Sequence, residues 1–155
     1  MPTENDPAEQ SLPARLRTRP YGHLLQTTAP AREEDLRAAE RAVRCPLPAD
    51  LAALLRESDG IDGEYGLGLV WSARRIAEEN RRMRSPALAG LYMPFEPLLF
   101  FGDAGNGDLF AHRILAGRPD PAGVFAWKHE TDDRVWVAPG LETYIDWWLT
   151  GRFSL

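Results

Sequence analysis

The chain has 155 residues, 44% of them hydrophobic and 26% charged, with five tryptophans and a formal net charge of -5. A chain of that length buries roughly 70% of its unfolded surface, so one globular domain with a real core is expected and a disordered chain is excluded. The acidic balance argues against general nucleic-acid binding, which needs clustered Lys and Arg, and a lone cysteine, Cys45, excludes an intrachain disulfide or a Cys-rich zinc module, so a reducing cytoplasm is the expected compartment.

Residues 1–20 are polar and broken by prolines from Pro2 to Pro20, with Leu12 and Leu16 as the only anchors. They read as a flexible or loosely docked arm ahead of a single domain over 21–155. Glu4, Asp6 and Glu9 interrupt any apolar run there, so neither a signal peptide nor a membrane span is expected. The first strong helix follows Pro30. Glu33, Glu34 and Asp35 load its first turn, where the helix dipole favours anions, and Leu36, Ala39 and Val43 recur at helical spacing. Glu40 falls in the same stripe, where a carboxylate needs a hydrogen-bond partner. Pro46 ends this helix and Pro48 opens a second, striped by Leu51, Leu54 and Leu55 and stopped by Gly60, so that the two read as a helical hairpin.

Leu67, Leu69 and Trp71 alternate as a strand, and Ser72 caps a helix that runs to about Met83 with Ile76, Ala77 and Met83 inward. After a proline-rich loop, Leu98–Phe101 reads as a buried strand, the turn 102–107 leads to a second strand at 109–112, and the runs 124–128 and 135–138 flank a charged turn at 130–133. That grammar predicts an antiparallel sheet of about four to six strands with one inserted helix. The closing helix has the clearest period in the chain, with Leu141, Tyr144, Ile145, Trp148 and Leu149 at i, i+3, i+4, i+7 and i+8. The fold class expected is therefore α+β.

An ordered series of short motifs carries a resemblance. It comprises Ala39-Glu40, then Leu47-Pro48 with Leu51, then Leu54-Leu55 followed by Asp59-Gly60, then Ile76 to Asn80, and finally the strand-turn-strand Phe100-Phe101-Gly102-Asp103-Ala104-Gly105-Asn106-Gly107-Asp108. Over roughly residues 31–150 the chain resembles the SUKH superfamily, named for a yeast regulator of cell-wall synthesis and abundant among bacterial immunity proteins against polymorphic toxins. Cys45-Pro46 departs from the glycine often found after the first helix in that family. The resemblance implies an α+β domain that binds the toxic domain of a partner and blocks it, without cofactor and without turnover. A binding or scaffold module in a regulatory assembly is the alternative of the same kind.

Candidate sites follow from residue type. Asp103, Asn106 and Asp108 have cation-binding oxygens, yet they sit in a glycine-containing turn whose backbone needs those residue types, and the spacing of a calcium loop is absent, so no metal is expected. A metal-assisted hydrolase built on Asp103, Asp108 and His112 is the competing reading. Cys45 beside Pro46 reads as an apolar plug, and Gly63 to Gly68 lacks the lysine of a phosphate loop. The acids Asp59, Asp62, Glu64, Asp103, Asp108, Asp132 and Asp133, with Asn106, fall in turns and are expected to form a negative face for the partner. A nuclease is the target for which such a face would compete with phosphate. Trp147, off the inner stripe of its helix, is expected to join that interface. The basic run Arg74, Arg75, Arg81, Arg82, Arg84 is expected to be a solvated face or a dock for an acidic patch.

Overall fold

In the computed structural model, which describes residues 9–152, the elements run α1 (Leu12–Arg17), β1 (Gln26–Thr27), α2 (Glu33–Val43), α3 (Ala49–Glu57), β2 (Ile61–Asp62), β3 (Gly68–Val70), α4 (Ala73–Met83), β4 (Leu98–Asp103), β5 (Leu109–Leu115), β6 (Arg118–Pro119), β7 (Val124–Trp127), β8 (Arg134–Ala138) and α5 (Leu141–Leu149). The α+β class, the helix inserted between strands and the closing helix are all present. The strands divide between two antiparallel sheets, a small one in the order β1-β2-β3 and a larger one in the order β4-β5-β7-β8 with β6 added to β5. No helix of the described residues is long and apolar enough to cross a membrane.

Helix α2 begins with three acids and ends at Arg44, whose backbone is left-handed (φ 58, ψ 32). Arg44 itself takes the conformation that glycine usually supplies after a helix. The inner stripe of α2 lies chiefly on α4 and only lightly on α3, so its main partner is the inserted helix, more than its neighbour in sequence. Glu40 is half-buried, with no hydrogen bond or ion pair among the described residues, and the expected tie is not made. Helix α4 starts under two caps. The Ser72 hydroxyl accepts from the Arg75 amide at 3.2 Å, and the Asp59 carboxylate accepts from the Ala73 amide at 2.8 Å.

The two sheets and the helices meet along the free edge of β4. The Trp71 amide donates to the Phe101 carbonyl at 2.7 Å. One residue back, the fully buried Asn80 amide serves both backbone groups of Phe100: Nδ2 donates to the carbonyl at 2.8 Å and Oδ1 accepts the amide at 3.0 Å. Next to this, Gly102 passes so close to β3 that a Cβ would lie 2.3 Å from the Leu69 carbonyl oxygen. The Tyr144 hydroxyl of α5 donates to that same oxygen at 2.8 Å.

Each face of the larger sheet has its own cover. On one, Tyr144 packs on Phe101 and Phe110, and Trp148 meets Phe110 edge-on. Leu141, Tyr144 and Ile145 are buried as the period predicts, while Trp148 and Leu149 are half-buried at the helix end. On the other face the proline-rich loop folds back to place Tyr92 and Phe95 against Trp127 and Phe100. Within the segment read as an arm, α1 buries Leu16 completely, and Arg15 pairs with Glu142 of α5 at 2.9 Å. Residues 1–8 lie outside the described residues.

Asn80→Ala would leave a buried amide and a buried carbonyl of Phe100 without partners, at a cost of about 1–3 kcal/mol each. Urea denaturation should show a loss of about 3 kcal/mol. A loss below about 0.5 kcal/mol would mean that water or a shifted strand replaces the side chain.

Candidate functional site

Three turns adjoin at one end of the sheets: 63–67 between β2 and β3, 103–108 between β4 and β5, and 128–133 between β7 and β8. Local backbone bonds close each one, from the Gly63 amide to Leu67 (2.8 Å), from the Ala104 amide to Asp108 (3.1 Å) and from the Lys128 amide to Asp133 (2.8 Å). The middle turn touches both others. A Cβ on Gly105 would sit 3.3 Å from the Leu67 side chain, and one on Gly107, whose φ is +99, would sit 3.0 Å from the His129 ring. Short polar residues and glycines are what such turns require, so the same composition that shapes the backbone also gathers acids here.

The acids divide by what they hold. Asp103 accepts from the Trp71 indole at 2.9 Å and pairs with Arg75 at 2.8 Å. Asp108 is buried, and its Oδ1 accepts from the His129 ring at 2.6 Å and from the His129 amide at 3.1 Å, with Lys128 at 3.4 Å from Oδ2. Burial alone would raise the Asp108 carboxyl. The His129 bonds and Lys128 outweigh it and hold the group below the usual carboxylate range. Asn106 supports the same turn, accepting the Asp108 amide at 3.0 Å. Asp132, with its backbone at φ 63, accepts from the Trp127 indole and the Met93 amide, both at 2.7 Å. Its burial is likewise outweighed, by those donors and Arg134, and the carboxyl is held low.

Asp59, Asp103, Asp108 and Asp132 each accept hydrogen bonds from elsewhere in the chain, whereas the Asp133 carboxylate accepts one only from the neighbouring Thr131 hydroxyl, at 2.8 Å. Asp62, Glu64 and Asp133 are exposed, with Glu130 beside the last. Asp59 and Asp62 line a separate hollow with Gln26 and Arg75. Glu64 and Asp103 line the one beside the 63–67 turn, and Asn106, Asp108 and Asp133 the one around His129. Trp147 is half-buried against the core.

The feature that composition alone did not single out is Tyr65. It stands fully exposed (103%) at the tip of the 63–67 turn, in the left-handed region at φ 59. A non-glycine residue held there, with its aromatic ring in solvent, is uncommon. The sequence signal was a lone tyrosine in the acidic, glycine-rich run Asp62 to Gly68.

Catalytic groupings are not assembled from the candidates. His112 is buried, stacked on Phe101 at 4.8 Å, and its Nδ1 bonds the Gly123 carbonyl at 2.9 Å, while Asp103 and Asp108 are engaged with other partners. Burial pushes the Cys45 thiol up, away from the thiolate a nucleophile needs. Among the described residues no group of three or more His, Cys, Asp or Glu is arranged to hold a metal.

The family model described as SMI1 / KNR4 (SUKH-1) matches residues 30–147, which takes in every element from α2 to most of α5. The chain belongs to that family. Among curated proteins none matches the sequence significantly. The SUKH-1 match contains all three adjoining turns, Asn80 and Tyr65, and leaves α1 outside.

Burial holds the His112 imidazole below its ordinary pKa, against the raising effect of the Gly123 carbonyl and nearby acids. With a folded pKa below the unfolded one near 6.5, the unfolded chain binds the extra proton first as pH falls, so stability is full above about pH 6.5 and declines below it. Denaturation at pH 7 and pH 5 should show a fall of up to about 1.4 kcal/mol per pH unit from this group, and His112→Phe should flatten it. An unchanged slope in the variant would assign the acid sensitivity elsewhere.

Proposed function

We propose that this SUKH-1 chain is a non-catalytic protein-binding domain, an immunity protein that neutralises a cognate polymorphic toxin in the bacterial cytoplasm by covering a basic cleft of the toxic domain. The observation that carries the reading is a row of three adjoining acid-bearing turns, the first of which holds a fully exposed tyrosine at its tip. Exposed Glu64, Glu130 and Asp133 supply the negative rim. Tyr65 supplies the aromatic anchor such a rim needs, because interface energy concentrates in a few desolvated aromatic and arginine residues while rim charges mainly set the encounter rate. Asp103, Asp108 and Asp132 act one step behind, by fixing the turns that present these side chains. In a preformed turn little chain entropy is lost on binding.

The test uses the candidate toxin domain that co-purifies with this chain from its source cell. Tyr65→Ala should weaken the complex by about 2 kcal/mol, roughly thirtyfold in Kd, mostly through faster dissociation. Glu64→Gln combined with Asp133→Asn should slow association a few-fold, an effect that shrinks as salt rises, with the melting temperature unchanged in both. Failure of the wild-type pair to associate would sink the immunity reading, and wild-type affinity in both variants would move the interface off this end.

A further inference from the structure

The arginines of α4 sort by partner. Arg74 pairs with Glu78, Arg75 with Asp103 and Arg82 with Glu79. Arg81 and Arg84 have no acidic partner within ion-pair distance among the described residues, and neither do Arg41 and Arg44 at the end of α2. These four line one surface depression of about 570 Å³, against an apolar wall that includes Val43 and Ile114 and with Glu96 as its one acid. In a protein of net charge -5, four guanidinium groups against a single carboxylate in one concavity are a strong local reversal of sign.

Helix dipoles account for part of this. Arg41 and Arg81 lie in the last turns of α2 and α4, where a cation is favoured. Dipoles do not account for Arg44, which occupies a left-handed position that glycine would fill at less cost. Nor do they account for Arg84, anchored by Nη2 to the Leu98 carbonyl at 2.7 Å and by Nη1 to the Asn80 side chain at 3.0 Å. Arg84 is therefore a pre-positioned cation, and the packing of α2 on α4 brings the others to it. Burial lowers its pKa, and Glu96 offsets this only in part.

We propose that this depression binds a compact polyphosphate anion, its phosphate groups held by Arg41, Arg44, Arg81 and Arg84. The planar guanidinium fork matches phosphate oxygens two at a time. A hollow of this volume is in the range of small-ligand sites, whereas a nucleic acid would call for an extended basic stripe. Glu96 sets a penalty on the bound charge and so limits affinity for single anions. The site shares no residue with the toxin-binding end, and the two readings fail independently.

The probe is sodium tripolyphosphate, titrated into the full chain and followed by calorimetry and by melting temperature at constant ionic strength. A saturable rise in melting temperature is expected. Arg44→Gly should melt at the same or a higher temperature, because glycine suits the left-handed backbone, yet bind about tenfold or more weakly. Arg81→Gln should likewise weaken binding, and Glu96→Gln should tighten it. ATP binding more tightly than tripolyphosphate would identify a nucleotide as the source of the phosphate chain, and equal binding a free polyphosphate; both uphold the site. No saturable response at millimolar tripolyphosphate would overturn the proposal, as would equal binding by citrate, by Arg44→Gly, or only by single-stranded RNA or an acidic peptide.

Discussion

The bidentate pairing of the Asn80 side chain with the backbone of Phe100 is the contact through which the helices and the larger sheet become one structure. A strand edge exposes one amide and one carbonyl at alternate residues, and in a core those groups must be paired. The smaller sheet pairs Phe101 through Trp71, and α4 pairs Phe100 through a side-chain amide that reproduces the donor and acceptor of a neighbouring strand. With that edge closed, α4 cannot shift along β4 without losing two buried hydrogen bonds. Whatever packs on α4, above all α2, inherits its position.

From that fixed helix the charge pattern follows. At the start of α4, Asp59 and Ser72 cap the helix and Arg75 reaches Asp103 in the turn after β4. At its end, Arg84 bonds back to Asn80 and to the Leu98 carbonyl. One helix thus ties the acid-bearing turn at its beginning and anchors the arginine cluster at its end. Local ion pairing leaves opposite charges uncompensated in the two places, and it is uncompensated charge in a formed site that a ligand or partner pays to neutralise.

The acidic turns also show how one residue type divides between internal bonding and exposure. A carboxylate that accepts two or three donors, as Asp108 and Asp132 do, is held ionised and rigid. Its charge is then mostly satisfied within the chain, and its contribution to the outside is shape. The exposed acids nearby contribute field, and Tyr65 contributes exposed aromatic area.

Much of this was readable in the residues themselves. The apolar stripes of α2, α3, α4 and α5, the Ser72 cap, the glycine turn at 102–108 and the SUKH resemblance all rest on short-range spacing, which backbone geometry converts directly into helix faces and strand alternation. The split of the strands into two sheets, the choice of α4 as the main partner of α2, the lone Glu40 and the division of the acids into committed and free were not readable. Asp103 is paired with an arginine 28 positions earlier and Asp108 is hydrogen-bonded to a histidine 21 positions later, and Arg41 shares a depression with Arg81 only because two helices pack side by side. Periodicity is a local property of the chain. Pairing within about 3 Å is decided by the path the chain takes, and that path is set by the sum of all buried contacts at once.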